Sequence, residues 1–281
     1  PDAQKALEDI PAFVSGLEIK HDVKPVEWQG TRSAALGMLG QFIKNALLEY
    51  DEKRNDPDEK KTSQLSPWLH FGKISGYEVV KAVLEHQPEG WDLDSITFNK
   101  GSTGGFFNGN PNIDGFLDEV ITWREVGFHY AHHRKDYDRF DSLPDWALET
   151  MNEHRDDPRE WVYTYEQLES SQTHDEIWNA AQTQLREEGI IHNYLRMLWG
   201  KKVIEWTPDP ETALQYLIDL NNTYAIDGRD PNSYSGIFWC FGRFDRAWQE
   251  RPIFGKLRYM TSDSTRRKVK LKEYLNKYGT Q

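Results

Sequence analysis

From Thr173 to Leu220 the sequence is punctuated as three helices in succession. Thr173-His174-Asp175-Glu176 has the form of a capping box, with Thr at the cap and Glu three residues later. Gly189 is a natural stop, because glycine enters the left-handed region without steric cost. A second helix is expected from about Ile191 to Trp206, halted by Thr207-Pro208. Pro210 suits a first helical position and opens a third helix to Leu220. The same grammar recurs upstream. Thr31 to Glu49 reads as an amphipathic helix with Ala35, Met38, Leu39, Phe42 and Ile43 on one side. Ser66 is expected as an N-cap with Pro67 following, and further helices are expected over Gly76 to Leu84, Ile113 to Arg134 and after Pro144. Gln87 to Gly109 is loop-rich, with Gly-Ser-Thr-Gly-Gly at 101–105. Alternating Val/Ile runs and a strand–helix–strand rhythm are missing, as are a GxGxxG turn and a Walker loop. The expected fold class is all-α.

Three tryptophans fall in the punctuated stretch: Trp178, Trp199 and Trp206, together with Arg196, Met197, Lys201 and Lys202. Trp199 and Trp206 are seven residues apart, so they share a helix face about two turns apart. Indole is large, apolar and easily oxidised. A ladder of such rings either packs or conducts an electron. With 11 Trp, 13 Tyr and 13 Phe in the chain, spacing alone favours packing for most of them.

A chain of 281 residues can bury a core as one large domain or two small ones. The first 30 residues, polar around Pro11, Pro25 and Gly30, read as a linker or wrap-around arm, which leaves 31–281 as the helical domain. The start at Pro1 reads as a processed or truncated product, and no signal-peptide pattern opens it. A single cysteine, Cys240, excludes an internal disulfide framework and a Cys-rich metal site, and fits a reducing compartment. No apolar run approaches the roughly 18–20 residues of a membrane span. The net charge is −12, yet Asn232 to Gln281 holds 11 Lys and Arg against 4 Asp and Glu. A polyanion can use such a local basic face, since screening limits distant charge to about 10 Å. A solvated basic helix is the plain alternative.

Four segments carry chemistry. Thr62-Ser-Gln-Leu-Ser-Pro-Trp-Leu-His-Phe-Gly-Lys-Ile-Ser75 puts hydroxyls and free N–H groups before a helix start, where phosphate is favoured. Leu220-Asn-Asn-Thr-Tyr-Ala-Ile-Asp227-Gly-Arg-Asp230-Pro-Asn232 would ordinarily mean a tight turn. Trp178-Asn-Ala-Ala-Gln182 precedes Asn193-Tyr-Leu-Arg-Met-Leu-Trp-Gly-Lys-Lys-Val-Ile-Glu-Trp206. Gly236-Ile-Phe-Trp239 is followed by Asp245-Arg246-Ala-Trp248-Gln-Glu-Arg251-Pro252-Ile-Phe-Gly-Lys256-Leu-Arg258-Tyr259-Met260. In this order, from about Thr31 to Met260, the segments resemble the FAD-binding domain of the DNA photolyase/cryptochrome family, and most closely the class II cyclobutane pyrimidine dimer photolyases.

The resemblance implies a U-shaped FAD in a helical domain, with no α/β antenna domain among these residues. Tyr50, Thr62, Ser63, Gln64, Leu65 and Ser66 match flavin-phosphate contacts, and Arg229 lies in the matching turn. Arg196 and Asp227 match a charged pair flanking the isoalloxazine, where Arg keeps its charge beside a reduced, anionic flavin. Asn221 matches the residue at flavin N5, where an amide can donate or accept. Glu119 and Trp123 match a carboxylate and an indole that contact the damaged base pair. Asn55, Met197 and Trp239 match further pocket residues, with Arg54 close by. On residue type alone, Glu119 is a satisfied helix carboxylate. The working cofactor would be FADH⁻. Light would drive an electron onto a pyrimidine dimer in UV-damaged DNA, from an enzyme whose target base leaves the stack. Trp199, Trp178 and Trp206, in that order outward to the surface, match an electron chain that reduces the flavin. Arg124, Lys201, Lys202, Arg246, Arg251, Lys256 and Arg258 are the candidate phosphate contacts, chosen by charge and nearness. A monomer without metal or membrane partner is expected, cytoplasmic or, in a eukaryote, nuclear.

One departure concerns the pocket. Phe244 stands where class II proteins usually carry a histidine, in a segment about one residue shorter. Two rival readings remain: a cryptochrome-like photoreceptor, and a helical interaction module without cofactor. A 6-4 photoproduct enzyme would want a histidine pair in the pocket, which no sequence feature supplies.

Overall fold

The computed structural model describes residues 3–98 and 105–279. Among them every regular element is helical, as expected for an all-α chain. Residues 101–104 of the Gly-Ser-Thr-Gly-Gly loop lie outside the described residues.

The helices pack around two cores. The smaller gathers Ala35, Leu39 and Phe42 of the helix Arg32–Asn45, Val79 and Val83 of Gly76–Leu84, and Ile113, Phe116 and Leu117 of Pro111–Leu117. The larger is built on Glu176–Glu188, Asn193–Trp206, Pro210–Tyr224 and Pro231–Cys240. Asn193–Trp206 is its central rod: Leu195, Leu198, Trp199, Val203, Ile204 and Trp206 are all buried, leaving no polar face of ordinary width. At Gly200 the rod meets the helix Pro231–Cys240 so closely that a Cβ would stand 2.5 Å from Cys240 Sγ.

One continuous helical run joins the cores. Pro111–Leu117 belongs to the small core, while Arg124–His133 delivers Tyr130 to the large one. Between them Asp118–Trp123 is a π-helical stretch, with Arg124 N–H donating to Glu119 C=O five residues back. Hydrophobic periodicity cannot show this, because the wider turn breaks the 3.6-residue repeat for a single turn only.

Caps explain most boundaries, and some differ from expectation. Thr31 caps its helix by accepting from Ala34 N–H, but that helix ends at Asn45 and a 3₁₀ turn leads into Tyr50–Lys53. Asp175, not Thr173, caps Glu176–Glu188, accepting from Ile177 and Trp178 N–H. A carboxylate there both accepts the free donors and faces the positive helix end, worth about 1 kcal/mol. Ser66 is the first residue of Ser66–His70 rather than its cap, and Leu65 precedes it with no side-chain cap bond. Gly189 does end its helix in the left-handed conformation, at φ +71°. Pro210–Tyr224 runs four residues past Leu220, carrying Asn221 inside the helix.

Ahead of the small core, Ala3–Glu8 and Ile10–Ser15 are short helices. Beyond them Lys20 pairs with Glu169, and Trp28 packs on Trp68 at 5.0 Å between ring centroids. No helix among the described residues is long and apolar enough to cross a membrane.

Gly200 is the point where size is least tolerated. Gly200→Val should cost about 1–3 kcal/mol by overpacking. The urea unfolding midpoint measures it, and an unchanged midpoint would mean that the two helices separate freely.

Candidate functional site at the seam between the cores

The π-helical stretch places its side chains between the cores. Glu119 forms an ion pair with Arg54, which follows the short helix Tyr50–Lys53 of the small core. The Arg54 guanidinium also lies over the Tyr50 ring, 5.4 Å from its centroid. Burial works against the Arg54 charge, but the adjoining Glu119 carboxylate and Tyr50 raise its pKa above the ordinary arginine value. Burial also pushes the Tyr50 hydroxyl up to about 12. On the other side Trp123 meets Trp239, with ring centroids 4.5 Å apart and planes tilted by 54°. Trp123 Nε1 donates to Asp118 Oδ2 at 3.1 Å, which sets the angle of the indole. Asp118 has no place in the sequence reading; only its five-residue spacing to Trp123 across a π turn brings the two together. Asn55 is exposed near the same small-core edge, and Met197 is half-buried against the large core.

A second group surrounds the start of the central rod. Arg196 Nη1 donates to Asn221 Oδ1 at 3.3 Å. Asn221 is buried, held within its helix, and Ala225 N–H donates to its carbonyl. Asp227 is 9 % exposed, and its Oδ1 has no hydrogen-bond partner among the described residues. An unpartnered buried carboxylate oxygen is costly, so a donor is wanted at that point. Arg229 has φ +67° and folds back: its N–H and Nη1 reach Oδ1 and the carbonyl of Asn222. Gly228 permits this turn, since a Cβ there would stand 2.9 Å from the Ala225 carbonyl.

The 62–66 loop is tied to that turn by a contact the sequence does not announce. His70 Nδ1 is hydrogen-bonded to Asp230 Oδ2 at 3.0 Å, while Asp230 Oδ1 accepts from Asn232 N–H and caps Pro231–Cys240. Gln64 sits at φ +53°, Leu65 is buried, and Ser66 and Gln64 are exposed. Thr62 and Gln64 border a cavity of about 1090 Å³ that extends past His192, Tyr224 and Tyr274. Both ring nitrogens of His192 are buried without partners among the described residues, and burial lowers its pKa to about 4. Arg196, Asn221 and Asp227 do not border this cavity, but the His192 carbonyl accepts from Arg196 N–H at 2.9 Å, so the cavity reaches the turn of chain that leads into the Arg196 group.

The three tryptophans lie within one core. Trp178 Nε1 donates to the Trp199 carbonyl at 3.0 Å, and Trp199 Nε1 donates to Gln182 Oε1 at 2.9 Å. Trp178 and Trp206 meet edge to face at 5.7 Å between centroids. Trp206 is only 2 % exposed, so the expectation that it stands at the surface is overturned. Tyr163 and His174 cover it, and Tyr163 N–H donates to the Trp206 carbonyl.

The candidate phosphate contacts divide sharply. Lys201 and Lys202 are buried and unavailable to a phosphate. Lys201 Nζ donates to the Cys240 carbonyl at the end of its helix, and burial pulls its pKa down to about 8. Lys202 pairs with Glu205 at 2.7 Å. Being charged did not place these lysines outside, because the rod they belong to is enclosed all round. Arg246, Arg251 and Lys256 are exposed. Arg246 and Arg258 both lie over the Trp248 ring, at 4.8 and 4.7 Å from its centroid, and Arg251 lies over Tyr259. Arg124 pairs with Glu125 and lies over Phe128.

Phe244 has φ +66° and packs edge-on to Tyr130 at 5.5 Å, within 6.4 Å of Trp239. Beyond it a cleft of about 480 Å³ is bordered by His129 and His133, whose rings lie 4.3 Å apart. A histidine pair therefore does exist, one helical turn apart, but in a separate cleft from Trp123 and Trp239. Its i, i+4 spacing is the signal that could have found it.

Sequence comparison adds the decisive observation. Over 96 % of its length the chain is 38 % identical to a deoxyribodipyrimidine photo-lyase of Methanothermobacter thermautotrophicus. It is 39 % identical to one of Potorous tridactylus over 94 % of its length. The chain belongs to the DNA photolyase/cryptochrome family. It spans about half the length of these curated relatives, 56 % and 46 % of them. No protein-family model matches the chain. Among solved structures, a bacterial class III photolyase from Agrobacterium tumefaciens superposes with a TM-score of 0.64 at 20 % identity, covering 90 % of this chain and 45 % of that one. A Synechocystis cryptochrome gives the same score at 17 % identity, covering 93 % and 48 %. The helical photolyase/cryptochrome fold is thus shared.

The burial of His192 makes folding stability depend on pH. Its folded pKa near 4 lies below the ordinary 6.5, so between those values the unfolded chain binds the proton and the folded one does not. Stability should therefore fall by about 3 kcal/mol as pH drops from 6.5 to 4, and His192→Asn should remove most of that slope. Urea titrations at stepped pH check it. A slope unchanged by the substitution would assign the acid sensitivity to other groups.

Proposed function

We propose that this chain is the flavin-binding, catalytic helical domain of a light-driven DNA repair enzyme acting on cyclobutane pyrimidine dimers, of class II type. On this reading 31–281 is the catalytic domain and 1–30 the arm. The observation that carries the reading is the seam itself. One π-helical stretch presents an indole pair, Trp123 and Trp239, on one side and an arginine-held carboxylate, Glu119, on the other, while the Arg196, Asn221 and Asp227 group offers a guanidinium, an amide and a carboxylate oxygen unpartnered among the described residues. An uncharged packing role for the second group would not leave that oxygen without a donor.

FAD fits this donor set. Arg196, Asn221 and Asp227 would hold the isoalloxazine, and Tyr50, Thr62, Ser63, Gln64, Leu65, Ser66 and Arg229 the rest of the cofactor. When bound in reduced form, the flavin supplies the light-driven one-electron donation that opens a cyclobutane ring, and it takes the electron back. The residues of this chain bind, orient and exclude water. Asp227 Oδ1 would accept a hydrogen bond from the cofactor. Arg196 offsets negative charge on the reduced ring and keeps that charge at any working pH. Trp123 and Trp239 form two apolar walls for a flipped-out dinucleotide. Glu119, oriented by Arg54, accepts from base N–H groups. Arg246, Arg251 and Lys256, exposed on the basic C-terminal segment, meet backbone phosphates. Trp199, Trp178 and Trp206 would form the path by which an electron reaches the cofactor's site, a path that repair by an already reduced cofactor would not need.

A cryptochrome-like photoreceptor shares the fold and would share the cofactor. Trp123, Trp239 and Glu119 favour repair, because a sensor has no use for an apolar slot with a base-reading carboxylate. The deciding experiment is illumination of the flavin-loaded, reduced protein with oligonucleotides carrying a cyclobutane dimer or a 6-4 photoproduct. Dimer repair alone is expected. Repair of the 6-4 lesion instead would shift the active pocket to the side of His129 and His133, and no repair of either would favour the photoreceptor.

Two substitutions test the roles. Glu119→Gln should weaken dimer binding by about 1–3 kcal/mol, read as the Kd for dimer-containing over undamaged DNA. Asp227→Ala should release the flavin, read as visible absorbance after gel filtration. If it keeps its colour, the assignment of that oxygen is wrong.

A further inference from the structure

The tryptophan line stops short of water. Trp206, its outermost member by sequence, is 2 % exposed. A buried terminal ring makes no direct contact with a reductant in solution, which slows its refilling, and it has no water to take its N–H proton. The aromatic contacts do not end there, however. His174 lies 5.1 Å from Trp206 between centroids, and Trp161 stacks on His174 at 4.6 Å with planes 22° apart. Tyr163 runs beside them, 5.5 Å from Trp206, and its plane is within 3° of Trp161. Trp161 is 44 % exposed.

This exit is built, not incidental. Tyr163 N–H donates to the Trp206 carbonyl at 3.0 Å, which fastens the extended 161–164 segment to the end of the central rod. The Tyr163 hydroxyl is hydrogen-bonded to His174 Nδ1 at 2.7 Å and accepts from His174 N–H at 3.0 Å, so the imidazole is clamped between the two indoles.

We infer that Trp161 is the solvent-side terminus of the electron path, connected to Trp206 across the His174 and Tyr163 rings. The inference rests on the flavin reading above. Trp199 gives one electron to the light-excited oxidised flavin. Trp178 then refills Trp199, Trp206 refills Trp178, and Trp161 refills Trp206. The oxidised Trp161 indole releases its Nε1 proton to water. A thiol from solution returns one electron and one proton to Trp161, and two such thiols leave as a disulfide.

Trp161→Phe keeps a stacking ring on His174 but removes the oxidisable indole; Trp161→Tyr restores an oxidisable ring. Flavin-loaded wild type and both variants would be illuminated with and without a thiol. Flavin reduction is followed by absorbance, radical lifetime by transient absorption, and oxidised side chains by peptide mass spectrometry. Expected are several-fold slower thiol-dependent reduction and a shortened radical lifetime in Trp161→Phe, partial recovery in Trp161→Tyr, and oxidation mapped to Trp161 in the wild type without thiol. Wild-type rate and lifetime in Trp161→Phe, with oxidation mapped to other residues, would overturn the inference and leave the flavin reading intact. A protein that takes up no flavin would overturn both.

Discussion

The arrangement depends on one helical run that serves two cores. Residues 111–133 begin against the small core and end against the large one, and the π turn lies at the crossing, with Val120 and Ile121 still packed on the small core. A regular α-helix would rotate its faces by a fixed step. The wider turn resets that step, so Glu119 faces Arg54 on one side while Trp123 faces Trp239 on the other. Such turns are rare and occur mostly as single turns inside α-helices, often at functional sites. Here the side chains of the turn are fastened by an ion pair, an indole contact and the Trp123–Asp118 hydrogen bond.

Much of this was legible in the sequence, for identifiable reasons. Caps and stops are local chemistry, so Thr31, Gly189 and Pro210 announce their helices without help. Asp175 took the cap from Thr173 because the carboxylate accepts from two N–H groups at once, and Thr173 turned to Asn179 instead. The π turn was not legible, since a single displaced hydrogen bond leaves the hydrophobic pattern nearly intact. Nor was the depth of Trp206: spacing says which way a side chain points, not what covers it. Tyr163 and His174 come from a different segment, and only the folded chain brings them over that ring. The ordered motifs brought Glu119, Trp123 and Trp239 into one neighbourhood, and Arg196 with Asn221 and Asp227 into another, but they could not show that Asp118 orients Trp123 or that His70 ties the 62–66 loop to the Asp230 turn.

Charge was the least reliable guide. Lys201 and Lys202 are as basic in sequence as Arg246 and Arg251, yet the first two are enclosed and the others exposed. The enclosed lysine terminates a helix, its ammonium meeting the Cys240 carbonyl where the helix dipole is negative. The exposed arginines lie flat on Trp248 and Tyr259. A guanidinium stacked on an aromatic ring keeps its donors free at the edge, which suits planar or anionic partners better than a lysine would.

The bond between His70 and Asp230 has a consequence for how the molecule melts. Each core packs its own apolar residues, and the His70–Asp230 bond and the Trp123–Trp239 contact tie one to the other. Two bodies joined in that way unfold together only as far as the ties couple them. A molecule seated in the seam and touching both sides would add coupling without adding to either core. Cooperativity of unfolding, rather than its midpoint, then becomes the property that reports whether the seam is filled.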